Sequence, residues 1–281
     1  MVTGVVPEDG RAQVGPVALP EGRRQYAEDT DELVAWATVD PMPDAGRVWL
    51  ALSAAHAETG LVPVLLQPPP PGPGGEAPPY FGFYHPVDVA LLDQISAEDV
   101  FAVNWSHYFE DPRSPAYRAP FGDRFPGLAP AESEPLPAAK MRDALSPLPP
   151  AHLGLVSARR PADVPAIVGW SVFGIDFCNP DGDSLSEEFN PLGARSLQIG
   201  AVLRSWETRF GARLLRIGGD AILRVLVERP PRSPELAQRV AAEIYSFADE
   251  VAGADDGVID NSVTSIAARL AGAPIWQFWW D

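Results

Sequence analysis

Cysteine and lysine are almost absent from this chain: Cys178 is the only thiol and Lys140 the only lysine among 281 residues. A single cysteine excludes an intrachain disulfide and fits a reducing compartment. No apolar run approaches the ~20 residues of a membrane-spanning helix. The opening Met1-Val2-Thr3-Gly4-Val5-Val6-Pro7-Glu8-Asp9 has neither a basic stretch nor a sustained apolar one, so no secretory leader is read there. The expectation is a soluble, cytoplasmic protein with no membrane partner. Also missing are Gly-x-Gly-x-x-Gly, a Walker loop, a Gly-x-Ser-x-Gly elbow and a Cys-x-x-Cys pair, which removes the common nucleotide, hydrolase and zinc signatures. The reading leans against an enzyme, and nothing in the sequence calls for a cofactor.

Basic residues are outnumbered. Against 21 Lys and Arg stand 38 Asp and Glu, for a formal net charge of −17. Such a field repels a phosphate backbone, and no basic stripe longer than Arg23-Arg24 or Arg159-Arg160 offsets it, so nucleic acid is not an expected partner. The acidity serves solubility, and it would also steer the chain toward a basic protein. Histidines are scarce too: His56, His85, His107 and His152 are all there are. His85 lies near Asp88, and His107 near Glu110 and Asp111, but neither group has metal-ligand spacing on one helix, so no metal site is expected.

What is abundant is proline, 32 residues, together with 24 glycines in a chain that is 46% apolar. The prolines cluster. Pro68-Pro69-Pro70-Pro71-Gly72-Pro73 reads as an extended polyproline loop. Residues 126–150 hold Pro130, Pro135, Pro137, Pro147, Pro149 and Pro150 and read as an interdomain linker between an N-terminal α+β region, 1–125, and a C-terminal domain, 151–281. In the N-terminal region Asp44 precedes a helix from about Ala45 to Glu58 carrying Val48, Trp49 and Leu52, a strand covers Val62 to Leu66, and Ser96 with Asp99 opens a helix toward Tyr108.

The C-terminal half is more regular. Leu153 to Ser157 is strand-like, and a helix over Ile199 to Phe210 places Val202, Leu203, Trp206 and Phe210 on one stripe. Two apolar runs, Leu214 to Ile217 and Ile222 to Val227, flank Gly218-Gly219-Asp220 as a hairpin. Ser233 caps a helix that has Pro234 in its first turn. A second helix, with Val263, Ile266 and Leu270, stops at Gly272 before Pro274 and a closing strand Ile275 to Trp280. The fold class is α+β, and the order strand, helix, strand, strand, helix, strand predicts a ferredoxin-like split β-α-β antiparallel sheet. The last strand is apolar on both sides, so the second face of that sheet needs a cover, most economically the N-terminal region.

Two segments carry a family resemblance: the helix end Trp206-Glu207-Thr208-Arg209-Phe210-Gly211-Ala212 and the terminal Ile275-Trp276-Gln277-Phe278-Trp279-Trp280-Asp281. With Gly169-Trp170, Gly218-Gly219-Asp220 and Arg229-Pro230-Pro231 between or before them, the chain resembles a bacterial family known only as domain of unknown function 4253. The single lysine and the Ala- and Pro-rich composition point to a GC-rich, actinobacterial source. The resemblance implies a shared fold unit and no particular chemistry. The chain departs from it at Phe247-Ala248-Asp249-Glu250, where a Phe-Cys-Pro-Asp type segment is expected, in a longer stretch over Gly174 to Ser196, and at Gly219, where an aromatic is expected.

The candidate binding residues are those of the two segments: Trp206, Glu207, Arg209, Trp279, Trp280 and Asp281. Glu207 and Arg209 flank the core stripe of their helix, where salt bridging is the ordinary use and general acid chemistry the sharper one. Trp276 and Trp280 alternate toward the core, whereas Trp279 and Asp281 stay open between core packing and an exposed edge that would recognise a partner by strand addition or anchor insertion. Cys178 sits among acidic residues that raise a thiol pKa, and reads as inert. The leading function is a non-catalytic interaction protein, immunity-like or regulatory, that presents an acidic surface to a basic protein. An enzyme using carboxylates such as Glu207, Asp220 or Asp176 in an interdomain cleft is the alternative, with a small-molecule sensor beside it.

Overall fold

The computed structural model describes residues 4–28, 30–67, 81–107, 114–170, 195–218, 221–248 and 261–280. It opens with a meander, β1 (Gly10–Val14), β2 (Val17–Tyr26) and β3 (Leu33–Thr38), followed by α1 (Ala45–Thr59) and β4 (Leu61–Gln67). A 3-10 helix, Val89–Gln94, leads into α2 (Ala97–His107) and the short α3 (Ser114–Tyr117) and α4 (Ala138–Leu145). Then come β5 (His152–Ser157), a 3-10 turn Pro161–Asp163, α5 (Val164–Val168) and α6 (Arg195–Phe210). The chain closes with β6 (Ala212–Gly218), β7 (Ile222–Val227), α7 (Pro234–Phe247), α8 (Val263–Leu270) and β8 (Ile275–Trp279).

All eight strands join one sheet in the order β1-β2-β3-β5-β4-β6-β7-β8. The α+β class and the mainly antiparallel pairing agree with the sequence, but the order differs from a split β-α-β unit. That unit needs β5 and β6 to run parallel on either side of an intervening strand. The strand between them is β4, which runs antiparallel to β5 and parallel to β6. The physical reason is that upstream strands enter the sheet themselves. β5 is an apolar strand buried on both faces, and it is filled in between β3 and β4 rather than beside β7.

Each face of the sheet has its own helices. The larger core gathers Phe101 of α2, Trp206 and Phe210 of α6, Phe247 of α7 and Ile266 of α8 against Val64, Val225, Trp276, Phe278 and Trp280. On the opposite face Val48, Trp49 and Leu52 of α1 and Leu145 of α4 cover Leu65, Leu153, Leu155, Leu215 and Leu226. The expected cover of the second face is thus supplied in part by α1. Strand β4 explains why both cores form. Val62, Val64 and Leu66 face one helical layer while Leu61 and Leu65 face the other, so the strand reads as an almost unbroken apolar run.

Helix ends follow the local chemistry. Ser233 accepts from Leu236 N and Ser262 from Ser265 N, and Ser96 accepts from Asp99 N at 3.3 Å. Gly169 ends α5 at φ +63, and a Cβ built there would lie 2.3 Å from the backbone carbon of His85. We expect Gly169→Ala to destabilise the chain by about 1–3 kcal/mol, through both the left-handed backbone and the collision. Gly272→Ala, at φ +70 with nothing within 4 Å, removes the collision and should lower stability by only about 1 kcal/mol. Denaturant midpoints for the pair decide the matter: equal losses would mean that the close approach of the 81–87 segment does not matter.

Candidate functional site

The conspicuous residues of α6 face inward. Trp206 is fully buried. It is stacked on Phe101 and Phe278 at 6.0 and 5.3 Å and meets Phe247 and Trp276 edge-on at 5.1 and 5.6 Å. Its indole N–H donates to Glu243 Oε2 at 2.7 Å. Arg209, one turn on, reaches the same carboxylate with two nitrogens, Nη1 to Oε1 at 2.6 Å and Nη2 to Oε2 at 2.8 Å. The backbone N–H of Ala129 adds a fourth bond, to Oε1 at 2.6 Å. Four donors saturate the two carboxylate oxygens of a side chain that is itself fully buried. Arg209 is held as completely, giving Nη1 to Ala129 O and both Nε and Nη2 to Ser205 Oγ.

Trp206 and Arg209 therefore cross-link α6, α7 and the segment through Ala129. Glu243 is the residue that sequence reasoning missed. A signal for it was present: Val240, Ile244 and Phe247 form the apolar stripe of α7, and Glu243 lies on that stripe. A lone carboxylate on a core-facing stripe needs a buried cation, and Arg209 is that cation.

Glu207 points the other way, toward the start of β4 and β6. Arg160 holds it through Nε at 2.8 Å and Nη2 at 2.7 Å, both on Oε2. With Ser53 and His56 of α1 and Arg213 of β6, it lines a cleft of about 220 Å³ floored by Trp49, Val62, Pro63 and Leu214. No second carboxylate lines this cleft among the described residues. On the same helix Arg204 bridges Asp163 and Asp93, each at 2.7 Å. Burial lowers the pKa of Arg204, but the hydrogen bonds and charges of Asp163 and then Asp93 outweigh it, so the net shift is upward. A raised cation pKa adds stability below the ordinary arginine value and loses it only as pH climbs through the higher folded value, so this cross-link keeps its charge across the neutral range.

At the far end, Trp280 is buried and donates its indole N–H to Phe247 O at 3.1 Å. Trp279 is half-buried on the other side of β8, opposite Ile222 of β7, and Arg224 Nε donates to Gln277 Oε1 beside it. The structure brings Trp206 and Trp280 into one aromatic core, leaves Trp279 at the sheet edge, and places Glu207 and Arg209 on different sides of α6. Asp281, Asp220, Asp176 and Cys178 lie outside the described residues. His56 Nε2 donates to Ala158 O and His152 Nδ1 to Thr38 O, both at 2.9 Å, while His85 is exposed. Among the described residues no group of three or more His, Cys, Asp or Glu is placed to hold a metal. No described helix is long and apolar enough to cross a membrane.

Neither the curated proteins nor the solved structures contain a match to this chain. A family model does match, over the segment that supplies α6, the β6–β7 hairpin, α7, α8 and β8 and so contains Trp206, Arg209 and Glu243 together. Residues 193–281 are similar to the family described as Domain of unknown function (DUF4253).

Proposed function

We propose that this chain is a non-catalytic cytosolic binding protein, of the immunity or regulatory kind, that presents an acidic face to a basic partner. The observation that carries the reading is a contrast between the two ends of the sheet. Around β6 and α6 the described carboxylates meet arginines: Glu207 with Arg160, Glu228 with Arg213 and Glu243 with Arg209. Around β1–β3 only Glu8 of the described carboxylates does so, through Arg24 at 2.6 Å. Glu8, Asp9, Glu21, Glu28, Asp31, Glu32 and Asp40 are exposed there, while the exposed arginines of that stretch are Arg11 and Arg23. Strand β1 ends the sheet, so its outer edge has no strand partner among the described residues. An open edge set in negative charge favours addition of a basic strand and repels acidic ones.

A peptide array graded from acidic to basic, probed with the intact chain, tests this. Capture should rise with positive charge, weaken by about tenfold or more when ionic strength goes from about 0.05 to 0.5 M, and vanish in Glu21→Lys/Glu28→Lys/Asp31→Lys/Glu32→Lys. Charge reversal at the exposed Asp88, Glu98 and Asp99 should leave it in place. Capture that ignores peptide charge, or that survives reversal on β2 and the β2–β3 turn, would overturn the reading.

A further inference from the structure

The cleft between α1 and α6 lies where two neighbouring strands of the sheet part. β4 and β6 pair only over Leu65–Gln67 and Arg216–Gly218, so their N-terminal ends part. Pro63 sits in the parted stretch, where its lack of an N–H does no harm, and its carbonyl accepts from Trp49 Nε1 at 2.9 Å. The gap that remains is the cleft of about 220 Å³ lined by Ser53, His56, Glu207 and Arg213.

Its polar groups are unsaturated in a consistent sense. Arg160 occupies only Oε2 of Glu207, and Oε1 accepts no bond from the described residues. His56 gives its Nε2–H to Ala158 O, a carbonyl that can only accept, so the neutral ring carries its proton on Nε2 and offers Nδ1 as an acceptor. Ser53 Oγ, on the turn of α1 before His56, is half-buried and makes no hydrogen bond to a described residue. Three acceptors, one of them charged, are thus set beside an apolar floor. Arg213 at the rim is 45% exposed and only loosely held, 3.7 Å from Glu228.

We infer that this cleft binds a small zwitterion of the amino-acid type, its ammonium toward Glu207, His56 and Ser53 and its carboxylate toward Arg213. An ammonium supplies three donors for the three acceptors. A guanidinium suits a carboxylate, and the Trp49–Leu214 floor suits a short apolar side chain. The cleft, about 220 Å³, has room for a small amino acid.

Calorimetry and thermal shift on the intact chain test this, with the proteinogenic amino acids as probes beside propylamine and propionate, which each carry one end of the zwitterion. A small apolar amino acid should bind saturably and raise the melting temperature, with propylamine and propionate weaker by about tenfold or more. Glu207→Gln and Arg213→Gln should each weaken it by about tenfold or more. Arg213→Gln and Ser53→Ala, at exposed and half-buried positions, should leave the melting temperature of the free chain unchanged, so that lost binding is not lost folding. No saturable binding of any amino acid up to about 10 mM would overturn the inference. So would binding as tight for propylamine as for the amino acid, or binding unaffected by Arg213→Gln.

Discussion

Replacing Glu243 by alanine is expected to lower stability by about 3–5 kcal/mol, the loss that follows when a buried ion pair is broken from one side. Arg209 would keep its charge in a site where its side chain is 12% exposed, and the N–H groups of Trp206 and Ala129 would lose their acceptor. Glu243→Gln keeps the shape but turns an amide NH₂ toward donors, so it should fall between wild type and alanine. Removing both charges, Arg209→Met with Glu243→Gln, should be less damaging than the sum of the two single changes, because no uncompensated charge remains. Urea midpoints measure all four. A loss below about 1 kcal/mol for Glu243→Ala would mean that the carboxylate is solvated and that the cross-link does not hold the layers together.

Trp206→Ala should be as severe, about 3–5 kcal/mol from lost packing alone, since the ring touches Phe101, Phe247, Trp276 and Phe278 at once. Trp206→Phe separates the two roles of the side chain. It keeps an aromatic ring in the cluster while removing the N–H to Glu243 and part of the indole volume, so about 1–3 kcal/mol should be lost. For a chain of this size 3–5 kcal/mol corresponds to a fall in melting temperature of roughly 6–15 °C. If phenylalanine proved as damaging as alanine, the hydrogen bond and the indole's full volume, rather than the presence of an aromatic ring, would be the main contribution. Because Trp206 and Glu243 share that bond, the two alanine changes should not add.

The elements that were legible in the sequence are those whose period and caps agree. α1, α6, α7 and β8 each carry an apolar stripe at the expected spacing, and Ser233-Pro234 and Gly272 mark ends that the structure keeps. The meander β1–β3 was not legible. β2 contains Pro20, Gly22, Arg23 and Arg24, and register shifts between Arg11 and Ala12 and between Gln25 and Tyr26 interrupt the two-residue alternation on which a strand is recognised. Gly22 looks like a strand breaker in the sequence. In the structure it makes room for the Trp36 ring, which a Cβ would meet at 2.1 Å. Strand order was not legible either, because nothing local to β5 says that it will lie between β3 and β4. For the site, Glu207 and Arg209 were visible as polar flanks of a stripe, but Ser53, His56 and Glu243 reach them only through contacts more than thirty residues distant in sequence.

The short parallel seam between β4 and β6 bears on how the family segment can be inherited. Within residues 193–281 the helices α6, α7 and α8 cover one face of β6–β7–β8. Leu215 and Leu226 on the other face belong to the core built with α1 and with Leu145 of α4, and the inner edge of β6 is capped by β4. Neither cover belongs to the segment. Any chain that acquires it must bring a strand to lie along β6 and an apolar helix to roof Leu215 and Leu226, or leave an adhesive edge and a greasy face in water. The segment travels with a structural debt, and here α1, β4 and α4 together settle it.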